Sequence, residues 1–210
     1  YTVLLSKVAK PEPGWLDRLI QSRKADGLIV IGQSDQHAAV NEVARDYLPL
    51  VVWGAHLPSQ TYCSVGSDNI GGARVAVEHL IRKGRRDIAF LGVPLLPEVG
   101  LRYEGYRRAL AAAGIAEDPA LMAPAHFTVD TAYDTVRSLI ESKTKFDAIF
   151  AVSDVIAIAA IKALNAAGLR VPEDVAVVGF DDINIAAYVS PTLTSVRQDL
   201  ARSHKLGSLA

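Results

Sequence analysis

Two adjacent carboxylates, Asp181 and Asp182, end the apolar run DVAVVGFDD. Paired acids can hold a divalent metal, transfer protons, or accept hydrogen bonds from the hydroxyl groups of a ligand. A metal would need further ligands, and the five histidines show no metal-binding spacing. Because no motif marks a nucleophile, an enzyme acting on a sugar or nucleoside through this pair is the minority alternative. We expect one acid to hold the turn and the other to face a cleft.

Acidic residues also follow two other predicted strands, as Asp68 in SVGSDN and Asp154 in IFAVSD. The carboxyl ends of parallel strands meet at the edge of the sheet where ligands bind. We expect Asp154 to cap the helix that it begins. Of Asp68 and Asn69, we expect one to cap the helix after the earlier strand and the other to reach the cleft. Three acidic strand ends favour a hydroxyl-rich, uncharged ligand over an anion.

Arg102 is the basic residue best placed to bind a ligand. It lies near the start of a predicted helix, directly after a loop that contains Pro94 and Pro97. A single arginine is usually solvated at the surface. Since the chain here is expected to cross between two lobes, the planar guanidinium could instead bind vicinal hydroxyls or a carboxylate.

The elements that must position these residues alternate between strand and helix. Continuous apolar runs are typical of strands covered on both faces. They occupy residues 2–8, 26–32, 48–54, 87–93, 146–153 and 174–180, with a weaker strand at 121–127. Helical periodicity lies between them, and Gly84 and Gly114 are placed to end two of the helices. The alternation predicts an α/β fold with parallel sheets and right-handed crossovers.

The composition excludes several classes of protein. With 22 basic and 23 acidic residues among 210, the chain has no charge excess for binding nucleic acid tightly. Its single cysteine excludes an internal disulfide and a thiolate zinc site. No metal or cofactor is expected, because Gly71-Gly72 fits no phosphate-loop pattern. We find neither a membrane-spanning run nor a signal peptide, and expect a cytoplasmic protein.

The predicted helix at residues 155–167 is apolar nearly all round until Lys162 and Asn165. Such a helix must be covered on more than its sheet side, either by a neighbouring helix or by another subunit. We favour a homodimer contact, because two-fold pairing of such a helix buries its second face.

Three segments together resemble the effector-binding domain of the LacI/GalR (lactose-repressor) family of bacterial transcription regulators. They are SDNIGGARVAVEHLIRKGRRDIAFLG, LRYEGYRRALAAAGI, and the block from FDAIFAVSD to PTLTSVRQDL. The resemblance implies a periplasmic-binding-protein-like (type I) fold, in which crossover strands join two Rossmann-like lobes. We expect one lobe to comprise residues 1–93 and 196–210, and the other residues 94–195.

The resemblance also implies a homodimer that binds a sugar-like effector in the cleft and allosterically controls operator DNA. We expect the DNA-binding helix-turn-helix, the first strand and helix of the N-terminal lobe, and the C-terminal strand to lie outside this chain. A periplasmic sugar receptor of a transporter shares the two-lobed fold and is the alternative. An N-terminal signal peptide upstream of Tyr1 would favour that receptor.

Residue by residue, the resemblance assigns six positions to ligand binding. They are Asp68, Arg102, Phe127, Ser153, Asp181 and Gln198. It implies that Arg102 anchors the effector, that Phe127 stacks on its ring, and that Asp181 accepts its hydrogen bonds. Asp182 is then expected to hold the turn. Ser153 stands where the family often has asparagine, so a short hydroxyl replaces an amide.

Overall fold

A computed structural model describes residues 2–8, 12–32, 36–47 and 49–199. The chain divides into two compact units, of which the first ends at Gly66 and the second begins at Ser67. Both units contain a purely parallel sheet, as the alternation of strands and helices predicts.

The first unit has a three-stranded sheet with strand order β1-β2-β3 and two short helices. Its elements are α1 (Trp15–Gln21), β1 (Leu28–Ile31), α2 (His37–Val43), β2 (Leu50–Trp53) and β3 (Cys63–Val65). Along β1, Leu28 and Val30 pack against the buried cluster of the helices, whereas Ile29 and Ile31 are exposed. One face of this strand is therefore covered, where the continuous apolar run predicted two.

The predicted strand at residues 2–8 is wrong. These residues have no regular secondary structure and their side chains are exposed. No strand in the described part of the chain pairs with them, so their β-branched composition alone does not produce a strand.

The second unit has a five-stranded sheet with helices between its strands. Its helices are α3 (Asn69–Arg82), α4 (Pro97–Ala112), α5 (Val129–Glu141) and α6 (Asp154–Ala166). Its strands are β4 (Ile88–Leu91), β5 (Met122–Ala123), β6 (Ala148–Ala151), β7 (Ala176–Asp181) and β8 (Thr194–Arg197). The strand order is β5-β4-β6-β7-β8. This order has a reversal between β4 and β6, because β5 lies on one side of β4 and the later strands lie on the other side. Doubly wound sheets bind ligands at such a reversal.

Helix α3 ends as its sequence predicts. Gly84 adopts a φ of 87°, which glycine tolerates because it has no Cβ. Its N–H donates to the Ile81 carbonyl at 2.9 Å, and the Arg85 N–H donates to the Leu80 carbonyl at 3.1 Å. This pair of bonds satisfies the last carbonyls of the helix and turns the chain towards β4.

The division of the chain lies at 66/67, earlier than the boundary at 93/94 expected from the sequence. The reason is that β4 belongs to the second sheet, where Phe90 pairs in register with Phe150 of β6. Strand β8 is in the same sheet, because Phe180 of β7 pairs with Val196. Residues 200–210, which include most of the C-terminal segment expected in the first lobe, lie outside the described residues.

Helix α6 is covered within its own unit. Ala157, Ile161 and Leu164 are buried, and α5 packs against α6. Of the two alternatives for its apolar surface, a neighbouring helix is therefore present, and the homodimer contact stays a prediction. Val155 remains exposed at the first turn of the helix.

Candidate functional site

Arg102 lies at the carboxyl edge of the second sheet, at the reversal between β4 and β6. The residue is 6% exposed, and its side chain is fixed from three sides. Its Nε donates to the Oδ1 atom of Asn69 at 2.8 Å, its Nη1 donates to the Val152 carbonyl, and its Cζ lies 3.8 Å from the centroid of the Phe180 ring. The orientation of the guanidinium is therefore set by the protein before any ligand arrives.

Asn69 reaches Arg102 because α3 and α4 pack very closely. A Cβ atom on Gly105 of α4 would lie 2.3 Å from the Ile70 carbonyl oxygen of α3, so a larger residue would force the helices apart. The Nδ2 of Asn69 donates to the Ser67 carbonyl at 3.2 Å, which fixes the amide that holds the arginine.

Asp181 faces this arginine from the end of β7. Its Oδ1 lies 3.8 Å from the Nη1 of Arg102, and its side chain is 26% exposed. Burial raises the pKa of the Asp181 carboxyl group, while the Arg102 charge and a hydrogen bond from Gln198 act in the opposite direction. Burial lowers the pKa of Arg102, although this guanidinium stays protonated at any pH where the protein is folded. The two groups form a partly desolvated ion pair.

Gln198 closes a ring of polar contacts around the pair. Its Nε2 donates to the Oδ1 of Asp181, and its Oε1 accepts a hydrogen bond from the Ser67 hydroxyl at 2.7 Å. The ring runs from Ser67 through Gln198, Asp181, Arg102 and Asn69 back to the Ser67 carbonyl. The structure thus brings together three of the six predicted ligand residues.

The sequence did not identify Ser67, and for Asp68 and Asn69 it left open which residue caps the helix and which reaches the cleft. Asn69 is 4% exposed. An asparagine in the first turn of a helix indicates a contact at the site only once its burial is known. A buried amide must find partners, and the nearest strong donor here is the guanidinium.

Two further predicted ligand residues cap helices. The Oδ1 of Asp68 accepts the Gly71 N–H at 2.8 Å, and the Ser153 hydroxyl accepts the Ile156 N–H at 3.4 Å. Asp68 is exposed and Ser153 is buried. Their contacts with a ligand stay predictions.

The roles expected for Asp154 and Asp182 are wrong. Ser153, not Asp154, caps α6, and the Oδ2 of Asp154 instead accepts the Ile183 N–H at 2.8 Å. Asp182 was expected to hold this turn, but its Oδ2 lies 2.5 Å from the Nε of Arg197 in an exposed pair. Asp154 is buried and holds the turn, whereas the half-buried Asp182 pairs with Arg197.

Phe127 lies in the loop between β5 and α5, at the same edge of the sheet, and is 48% exposed. Among the described residues no ring contact involves it. Its stacking role stays a prediction.

The arrangement offers one strong donor and one strong acceptor side by side. Within the described residues, the Nη2 of Arg102 takes part in no hydrogen bond. No group of three or more histidine, cysteine or acidic side chains in that part of the chain could hold a metal ion. None of the described helices is long and apolar enough to cross a membrane.

Comparison with known proteins places the chain among transcription regulators. The family model of the periplasmic binding protein-like domain matches residues 77–207. The chain is 37% identical to the HTH-type transcriptional regulator CelR of Thermobifida fusca, over 85% of this chain and 54% of the relative. It is 31% identical to the HTH-type transcriptional repressor CytR of Escherichia coli, over 94% of this chain and 59% of the relative. The chain thus spans a little over half the length of these curated relatives.

Solved structures give the same result. A sugar-binding transcriptional regulator of the LacI family from Escherichia coli, complexed with phosphate, matches with a TM-score of 0.79 and 33% identity, over 90% of this chain and 68% of that one. A CelR–cellobiose complex matches with a TM-score of 0.76 and 36% identity, over 86% of this chain and 56% of that one. These relatives are transcriptional regulators and not enzymes. With its parallel sheets and this breadth of similarity, the chain belongs to the LacI family of transcription regulators.

Proposed function

We propose that the chain is the ligand-sensing part of a regulator, and that its effector is a sugar or a related hydroxyl-rich metabolite. The observation that carries this proposal is the buried Arg102, held in one orientation beside the partly exposed Asp181. A planar fork of donors next to a carboxylate acceptor matches two neighbouring hydroxyl groups.

The charges favour a neutral ligand. Asp181 lies against the arginine and would repel an anion, so a phosphate would meet both attraction and repulsion at this edge. The half-exposed ring of Phe127 offers an apolar face for the carbon side of a sugar ring. Two related regulators were solved with sugars, one with cellobiose and one with ribose.

The rival functions have less support. Catalysis by paired acids would need Asp181 and Asp182 to face one substrate, yet Asp182 pairs with the exposed Arg197. A periplasmic receptor would share the fold, but the named relatives regulate transcription.

In the whole protein, effector binding would favour one of two conformations and so change the affinity for operator DNA. The relatives are described as HTH-type, which supports an N-terminal helix-turn-helix that reads the operator in the cytoplasm.

The second subunit of a homodimer would cover apolar residues near the start of α6. Val155 is exposed there, and in the segment after β7 Ile185 and Tyr188 are exposed, Tyr188 by 82%. Large apolar side chains at such exposure are typical of an interface between subunits.

The test is isothermal titration calorimetry with cellobiose, ribose and inorganic phosphate. We expect at least one of the sugars to bind, and Arg102→Lys and Asp181→Asn each to weaken its binding about tenfold or more, because each removes charge-assisted hydrogen bonds worth about 1.5–3 kcal/mol. Arg107→Lys is the matched control, since Arg107 is exposed on the same helix. A sugar that binds both site variants as tightly as the unaltered chain would contradict the proposal.

A further inference from the structure

The turn that carries the Asp181 carboxylate has an unusual backbone. Asp181 has a φ of 117° and Asp182 a φ of 54°, and neither is a glycine. Residues that carry a side chain avoid positive φ unless their surroundings impose it, and here two successive residues adopt it. Some contact around the turn must therefore hold it.

A buried carboxylate and one hydroxyl make those contacts. The Oδ2 of Asp154 accepts the Ile183 N–H at 2.8 Å, and its Oδ1 accepts the Ser195 hydroxyl at 2.5 Å. The same hydroxyl oxygen accepts the Asp182 N–H at 3.0 Å. Asp154 and Ser195, which we name the turn clasp, thus bind the two backbone N–H groups that follow Asp181.

The fold makes room for this carboxylate. A Cβ atom on Gly179 of β7 would lie 2.3 Å from the Oδ1 of Asp154, so any side chain at that position would displace it. The Asp154 side chain is fully buried, and burial raises the pKa of its carboxyl group in spite of the two hydrogen bonds. Each oxygen of this buried carboxylate accepts a hydrogen bond from the turn or from Ser195, so the carboxylate holds both partners in one arrangement.

We propose that Asp154 and Ser195 are positioning residues of the effector site, which hold the backbone at Asp181 so that its carboxylate faces Arg102 and Gln198. They do not touch the ligand themselves. The inference rests on the proposed function only in what the carboxylate is positioned to bind.

The first measurement needs no ligand. A residue with positive φ gives a strong nuclear Overhauser effect between its own amide and α protons, because the two protons lie close together. We expect this signal at Asp181 and Asp182 in the unaltered chain, in Ser195→Thr, which keeps the hydroxyl, and in Asp147→Asn. It should weaken in Ser195→Ala and, to a lesser degree, in Asp154→Asn, which can still accept the Ile183 N–H.

Asp147→Asn is the matched control, since the Asp147 carboxylate also accepts backbone N–H groups, those of Arg86 and Asp87, at the opposite edge of the sheet. It can lower stability without touching the turn. Unchanged signals in both Ser195→Ala and Asp154→Asn would overturn the proposal, as would an equal loss of signal in Asp147→Asn.

The second measurement is cellobiose affinity by calorimetry. We expect a loss of about tenfold in Ser195→Ala, recovery in Ser195→Thr, and no change in Asp147→Asn. Full affinity in Ser195→Ala would overturn the link to binding. If cellobiose binds neither the unaltered chain nor any variant, cellobiose is not the effector. The proton signals still decide whether the turn clasp positions Asp181.

Discussion

The two edges of the five-stranded sheet treat their charged residues in opposite ways. At the amino edge, Arg85 donates to the carbonyls of residues 172–174, and Arg170 pairs with Asp174 at the surface. At the carboxyl edge, Arg102 and Asp154 are buried.

The two edges differ in the free-energy cost of their charged residues, because only those at the carboxyl edge are buried. Exposed pairs at the amino edge cost little to form and join loops that precede the strands. Buried charges and a left-handed turn at the carboxyl edge cost free energy, and such costs concentrate where a protein binds or reacts. Under the proposed function, the carboxyl edge therefore bears these costs for binding, whereas the contacts of the amino edge join loops.

The largest difference between the two edges is expected when Gly179 is replaced by a residue with a side chain. Gly179→Ala would drive a methyl group into the Asp154 carboxylate and towards Leu193, and we expect it to lower the free energy of unfolding by about 2–4 kcal/mol. Gly84→Ala, beside the amino edge, has open space around its Cβ position and should cost about 1 kcal/mol through its positive φ alone. Urea denaturation measures both. Equal losses would mean that the carboxyl edge is not under special constraint.

A smaller effect separates stability from binding. Arg85→Ala removes hydrogen bonds to the carbonyls of Glu173 and Asp174, and we expect a loss of about 1 kcal/mol in the free energy of unfolding, because these bonds are partly screened by water. Calorimetry with cellobiose should show unchanged affinity. Weakened binding in this variant would contradict the division between the edges.

The smallest effect is in the pH dependence of stability. The hydrogen bond from Arg170 lowers the pKa of Asp174 to about 2 from 3.8, so its contribution to stability is present above pH 3.8 and is lost as the pH falls towards 2. Burial raises the pKa of Asp154 above 3.8. The contribution of this group to the free energy of unfolding therefore increases as the pH falls through its pKa in the folded state.

We therefore compare Asp174→Asn and Asp154→Asn with the unaltered chain by urea denaturation from about pH 7 to about pH 3. As the pH falls, the unaltered chain should lose stability relative to the first variant and gain stability relative to the second. If the two stability differences change in the same direction as the pH falls, the Asp154 and Asp174 carboxyl groups do not lie in the opposite environments described above.

Local patterns predicted the fold well, since the strands after residue 26 and the end of α3 depend on residues close in sequence. Arg102, Asp181 and Gln198 were also found, through the resemblance, and they lie together. The roles of Asp154 and Asp182 were wrongly predicted, because the partners of Asp154 are 29 and 41 residues away along the chain. Which of two nearby acids is buried depends on that distant packing, and no local pattern records it.

The ring around Asp181 also joins the two places where the chain enters and leaves the second unit. Ser67 is the first residue of that unit, and Gln198 is next to its last described residue. Under the proposed function, a ligand hydroxyl that replaces the Gln198 amide on Asp181 would remove the link between this carboxylate and the exit point of the chain. Gln198 would keep the hydrogen bond from Ser67 at the entry point, so a bound ligand would change how the exit point is held.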